Sequence, residues 1–191
     1  MTTGRLSFIL FGLFLAVGQG ALAGTPLVVD RDLSSIKIDV KATIGSFVGH
    51  LANYEAVIHY DSESEAVSSA DIRFRFADVT TGEDKRDRHM HDWQETESFP
   101  DGRFVLNRLE MRSGGGGEAT AFGELTLHQR TQKLEFPVSI LIEDRTVVID
   151  GNAVLDTQDF GLPIIRKFLA LKVDPLVTIQ FHLHTTRAED G

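Results

Sequence analysis

The chain has 191 residues, 42% hydrophobic and 25% charged, a composition that fits a globular domain and excludes wholesale disorder. Nineteen basic against 28 acidic residues give a formal net charge of −9, which argues against a nucleic-acid partner, because phosphate binding needs a basic footprint. There is no cysteine, so disulfides, thiolate metal sites, a cysteine nucleophile and an acylated lipoprotein cysteine are excluded.

Residues 1–23, MTTGRLSFILFGLFLAVGQGALA, have the layout of a secretory signal peptide. Arg5 gives a positive start, Leu6 to Val17 form an apolar run broken by Gly12, and Ala21-Leu22-Ala23 is a small-x-small cleavage site. The run is about a dozen residues, short of the ~20 that a spanning helix needs. Cleavage after Ala23 is therefore expected, leaving residues 24–191 as one exported, soluble domain.

The body reads as strands. Ile36, Ile38, Val40 and Ala42 alternate with Lys37, Asp39 and Lys41, and a second strand is predicted over Tyr54–Tyr60. Asp61 to Ser64 is a turn, after which Ile72, Phe74 and Phe76 alternate with Arg73 and Arg75. Gly82–Gln94 breaks the pattern with dense charge and suits a short helix or a long structured loop. Strands are expected over Arg103–Met111 and Glu118–His128, joined by a flexible tip at Gly114–Gly117. Leu134–Ile142 carries Phe136, Val138, Ile140 and Ile142 on one parity, and Thr146–Leu155 follows a turn at Glu143-Asp144-Arg145. Phe160–Leu171 suits a helical turn or a lid. Val177, Ile179, Phe181 and Leu183 then alternate with Thr178, Gln180, His182 and His184.

Alternation of this kind means one dry and one wet face, as in antiparallel sheet. About eight such strands, with no repeat or linker, make an all-β single domain. Its edges can be hidden in a closed barrel or in a two-sheet sandwich.

Chemistry is sparse. His182 and His184 sit on the parity opposite Phe181 and Leu183, so they are expected to face solvent. His89 and His91 lie near Asp87 and Asp92 but form no recognisable set of three or four zinc ligands. No G-x-S-x-G elbow, H-E-x-x-H pair or phosphate loop occurs. Catalytic residues, metal and cofactor are accordingly predicted to be absent. The run Arg86-Asp87-Arg88-His89 has two readings: ion pairs that cap a loop, or groups at a pocket mouth.

Several pieces, in order, resemble the YceI-like family of bacterial periplasmic lipid-binding proteins, over about Val29 to Thr185. Asp30 with Ser34-Ser35-Ile36 and Ile38 resembles the family's opening strand, and Phe47-Val48-Gly49 with Ala56-Val57-Ile58 its G-x-F and following strand. Thr81-Gly82 followed by Arg86-Asp87-Arg88-His89-Met90 resembles the R-D-x-H-L segment. Phe99-Pro100 with Phe104 resembles F-P-x-x-x-F. Phe122 to His128 with Thr131-Gln132-Lys133 is similar to G-x-L-T-l-h-G-v-T-K, and Asp159-Phe160-Gly161-Leu162 to D-F-G-I/L. Three positions depart from the pattern: Gln129 replaces the turn glycine, Thr157 stands where an arginine is common, and Trp93 alone represents an aromatic pair.

The resemblance implies an extended, eight-stranded, lipocalin-like antiparallel barrel with one short helical or loop insertion. It implies a periplasmic carrier that holds a polyisoprenoid, quinone-type or other long apolar lipid, without catalysis. On the parity of each strand, Ile72, Phe74, Phe76, Phe104, Leu106, Val138 and Ile140 are expected to point inward; Ile38, Val40 and Phe47 are taken with them as ligand-binding. Arg86, Asp87 and His89 are expected at the mouth, with Trp93 and Phe160 completing the ligand-binding set. An enzyme using His89, Asp87 or Arg86 for acid–base work on an apolar substrate is the alternative, as is a filled barrel serving as a stress or interaction module. A dimer is compatible with the sequence.

Overall fold

The computed structural model describes residues 24–112, 117–167 and 171–188. The expected signal peptide, Gly114–Gly116 of the glycine tip, and Phe168 and Leu169 of the predicted lid lie outside the described residues.

The strands are β1 (Thr25–Ala42), β2 (Ser46–Leu51), β3 (Tyr54–Asp61), β4 (Ala66–Arg75) and β5 (Val79–Thr80), then, after helix α1 (Asp84–Gln94), β6 (Asp101–Met111), β7 (Glu118–Leu127), β8 (Arg130–Glu143), β9 (Thr146–Asp156), β10 (Arg166–Lys167) and β11 (Leu171–Arg187). Eight of them, β1, β3, β4, β6, β7, β8, β9 and β11, pair in antiparallel sequence. The ring closes where β11 meets β1, from Leu27↔Arg187 to Ala42↔Val173. Closure removes the sandwich alternative, and strands of 18 and 17 residues at the seam make the barrel long.

The seam explains why β1 begins at Thr25, well before its alternation becomes visible. Asp30 pairs with His184 and Ser35 with His182, so Arg31 to Ser34 form an outward excursion. The Ser34 hydroxyl repairs the ladder by accepting the His184 N–H at 2.9 Å. Arg31 donates to the Tyr54 carbonyl, its guanidinium 4.6 Å from the centroid of that ring. A second irregularity, between Leu106 and Arg108, shifts the parity of β6. Leu106 and Leu109 both face inward as a result.

One end of the barrel is packed solid by Leu27, Tyr60, Val67, Val147 and Leu183. The other end is dressed by the short strands and by α1. The predicted helical alternative for Gly82–Gln94 is the observed one. Its C-terminus is closed by Glu95, left-handed at φ 55°, with Thr96 N–H donating to the His91 carbonyl at 3.0 Å. Buried Gln94 fixes the next turn by donating to the Phe99 carbonyl at 3.0 Å. Phe76 leaves the predicted strand pattern: β4 ends at Arg75, and Phe76 opens a 3₁₀ turn through Asp78.

Candidate functional site

The inward parity of the barrel strands does not fill the interior. A cavity of about 810 Å³ runs through it, in the upper part of the range of about 300–1,000 Å³ usual for small-molecule sites. Ile38, Ile72, Phe74, Phe104, Leu106 and Phe181 are only half-buried although they point inward, because their free surface faces this lumen.

The walls are kept thin by glycines. A Cβ on Gly102 or Gly151 would collide with the ring of Phe74 or Phe181, and one on Gly123 would lie 2.5 Å from Phe104 Cε2. Each phenyl ring therefore lies along the wall, over a bare Cα, instead of projecting across the lumen. Phe136 joins this layer, its centroid 5.8 Å from that of Phe104 and 6.0 Å from that of Phe181.

Polar groups on the lining gather at the helix end: Glu83, Lys85, Arg86, His89, Arg166 and Asp174 among them. Arg86 lies with its guanidinium 4.9 Å from the centroid of Phe47. It donates to the Thr81 hydroxyl at 2.8 Å and pairs with Glu83 at 3.4 Å. Trp93 reaches across the mouth, its indole N–H donating to the Pro163 carbonyl at 2.7 Å. Phe160, fully buried in a 3₁₀ turn, anchors the start of that opposite lip.

Of the residues singled out from sequence, Ile38, Val40, Phe47, Ile72, Phe74 and Phe76 line the cavity, and so do Phe104, Leu106, Val138, Ile140 and Phe160. Arg86, His89 and Trp93 line its mouth. Asp87 does not. Its carboxylate accepts from the Thr81 backbone N–H at 2.8 Å and from the Thr81 hydroxyl. The helical period sets Arg86, His89, Met90 and Trp93 on one stripe, and Asp87 falls beside it. Thr81 thus binds both Arg86 and Asp87, which is the loop-capping reading of that charged run.

His89 and His91 diverge: the ring of His91 contacts the Val79 carbonyl at 3.2 Å. On the outer wall, His182 pairs with Asp150 at 2.7 Å, and His184 is half-buried with a shielded Nδ1 that has no hydrogen-bond partner. Among the described residues no group of three or more His, Asp or Glu side chains is placed to hold a metal ion. Phe136, Ile179 and Phe181 lie on the predicted inward parity and line the lumen, although nothing in the sequence beyond parity sets them apart as site residues. Met90 stands out in the sequence only as part of a motif, and its place in the lining depends on the helix.

The YceI-like domain family matches residues 27–185 of this chain. The fold is similar to that of BcnA from Burkholderia cenocepacia, with a TM-score of 0.73 at 22% identity, covering 83% of this chain and 100% of that one. It is also similar to a polyisoprenoid-binding domain from Saccharophagus degradans implicated in plant cell wall breakdown, with a TM-score of 0.64 at 12% identity, covering 86% and 99%. A Campylobacter jejuni YCEI protein gives a TM-score of 0.65 at 18% identity, covering 76% and 88%. No curated protein sequence matches the chain.

Proposed function

The chain belongs to the YceI-like family, and from that premise we propose that it is a carrier that takes a long, neutral, apolar lipid of polyisoprenoid or quinone type into its lumen. The observation that carries the reading is the lumen itself: about 810 Å³, walled by aliphatic and phenyl side chains, with charged groups only at one end. A long strand-walled tube suits a linear chain better than a compact solute. Burying hydrocarbon contributes about 0.8 kcal/mol per methylene, so a five-carbon unit adds roughly 3–4 kcal/mol before ordering costs. Several units give tight binding without a charged contact, which agrees with a chain of net charge −9. The Saccharophagus degradans neighbour, a polyisoprenoid-binding domain, supports the same ligand class.

The acid–base alternative has less support, since the Asp87 carboxylate is engaged by the Thr81 N–H and hydroxyl. The filled-barrel alternative is weakened by the open lumen. Residues 1–23 address the protein to the periplasm in this reading, and the N-terminal sequence of the exported form starts at Gly24. The decisive experiment is native mass spectrometry of the purified protein before and after organic extraction, with Phe74→Asp and Leu106→Asp alongside. An extractable mass of hydrocarbon character, absent from folded variants, is the expected result. A ligand-free protein that takes up no polyprenol, or folded variants that retain it, overturn the reading.

A further inference from the structure

We propose that the lip made by the β1–β2 turn and the start of β11 docks on an anionic lipid bilayer, so that the lumen loads and unloads at the membrane surface. The inference rests on the lipid-binding reading above and names the surface from which the lipid comes.

The lip is one contiguous patch. The β1–β2 turn is closed by Ala42 N–H donating to the Gly45 carbonyl at 3.1 Å. It is tied to β11 by Thr43 N–H donating to the Lys172 carbonyl at 2.9 Å. At its tip stands Ile44, 69% exposed, the most exposed large apolar side chain among the described residues. Beside it β11 bulges: Val177 pairs with Val40 and Val173 with Ala42, which pushes Leu176 out to 51% exposure next to Lys41. Arg166 pairs with Lys172 across the β10–β11 ladder. The patch borders the cavity entrance, where Phe47, Arg166 and Val173 line the lumen.

Charge selects the partner. The exposed charged side chains next to Ile44 and Leu176 in chain and register are Lys41, Arg166 and Lys172. These three cations outnumber the two neighbouring carboxylates, Asp174 and Asp156, which accept from the Leu176 N–H at 3.0 Å and from the Gln158 N–H at 2.9 Å. On the α1 side of the entrance, Glu83 is paired with Arg86. The far end of the barrel carries more acids than bases, with Asp61, Glu63 and Glu65 at the β3–β4 turn and Glu143 and Asp144 beside Arg145 and Arg187 at the β8–β9 turn. A chain of net charge −9 is repelled by an anionic surface as a whole, so close approach is favoured with the lip down and the acidic turns away. Two apolar tips between cations match the boundary between head groups and acyl chains. Once the lip is seated, a chain leaving the bilayer passes into the lumen without crossing water.

Co-sedimentation of the purified protein tests this, with vesicles of phosphatidylglycerol and phosphatidylethanolamine against vesicles of phosphatidylcholine. Binding to the anionic vesicles alone, weakening as salt is raised, is expected. Lys41→Gln with Lys172→Gln should lower the partition coefficient on the order of 30-fold, at about fivefold per cation. Ile44→Ser with Leu176→Ser should lower it as well. None of these four side chains lines the lumen, so uptake of polyprenol from detergent micelles should be unchanged in both variants; that uptake separately tests the lipid-binding reading. Equal binding to both vesicle types, no binding to either, or unaltered binding by the variants overturns the docking proposal. So does a loss of self-association, measured by size, as the only effect of the substitutions, which would make the lip a contact between two copies of the chain.

Discussion

Phe181 and Gly151 stand directly opposite each other across the β9–β11 ladder, and the phenyl ring fills the space that a side chain on residue 151 would need. Phe74 and Gly102 repeat the arrangement across the β4–β6 ladder. A barrel this rich in inward phenylalanine would ordinarily pack its own centre. The glycines let the rings recline on the wall, and the lumen is what remains.

Replacing Gly151 by Ala should force the Phe181 ring toward the lumen, costing about 1–3 kcal/mol of stability as overpacked cores do. Thermal unfolding and ligand retention should fall together. Phe181→Leu in the same chain should restore part of both, because the collision at residue 151 involves only the Phe181 ring among its nearest neighbours. Additive losses in the double variant would show that the ring and the glycine are not coupled.

These pairings mark the limit of what the sequence makes legible. The alternation of Ile72, Phe74 or Phe181 with polar neighbours is local, and it gives strand and inward parity directly. The β2 strand escapes the same logic because its inward set, Phe47, Gly49 and Leu51, is short and includes a glycine with no side chain to signal a face. The start of β1 escapes because Arg31 to Ser34 break the period, and the bonds that repair it come from Tyr54 and His184, far along the chain. Adjacency in the sequence groups Asp87 with Arg86 and His89; the helical turn, one of two readings open for that segment, separates them. That Phe181 reclines on Gly151 depends on a register set by the whole sheet.

At the β7–β8 hairpin, His128 and Gln129 both have left-handed backbones, with φ of 48° and 58°. This is the geometry of a two-residue turn that prefers glycine at its second position, and Gln129 occupies that place. Gln129 is exposed, so Gln129→Gly should raise stability by about 0.5–1 kcal/mol through relief of the left-handed strain, net of the added freedom of the unfolded chain. Ligand retention should not change. A lower unfolding midpoint would show that the glutamine side chain contributes more than its backbone costs.

Asp71 lies on the outer wall between two arginines. Arg103 grips it through Nε at 2.9 Å and Nη2 at 2.7 Å, and Arg73 adds Nη2 at 3.0 Å. Hydrogen bonding from Arg103 leads the effects that hold its pKa down at about 2. A carboxylate with a depressed folded pKa stabilises the fold above its unfolded value and loses that contribution as pH falls through the folded one. The pair is partly solvent-screened, so Asp71→Asn should cost no more than about 1 kcal/mol near neutral pH. The difference between variant and parent should close between about pH 4 and pH 2. A gap that persists at pH 2 would assign the loss to packing in place of charge.

The last expectation concerns release. Phe160 and Leu162 are buried, so one lip of the mouth is anchored in the barrel, while α1 forms the other. The Trp93–Pro163 hydrogen bond spans the two, between residues 70 positions apart in the chain. A bound lipid leaving through the mouth must pass this bridge, so its strength sets part of the barrier to exit and little of the affinity of the lumen below. Trp93→Phe keeps an aromatic ring and removes the N–H, at a cost of about 1 kcal/mol, a typical net value for one hydrogen bond. That amount, taken from the barrier, corresponds to release about fivefold faster. Transfer of a polyprenol analogue from the protein to acceptor vesicles in stopped flow reads the rate, and the unfolding midpoint reads the fold. Faster transfer at an unchanged midpoint fits a bridge that holds the mouth closed. An unchanged transfer rate would mean that α1 and the Pro163 lip part no more easily without the bond, and that exit is limited by withdrawal of the chain from the lumen.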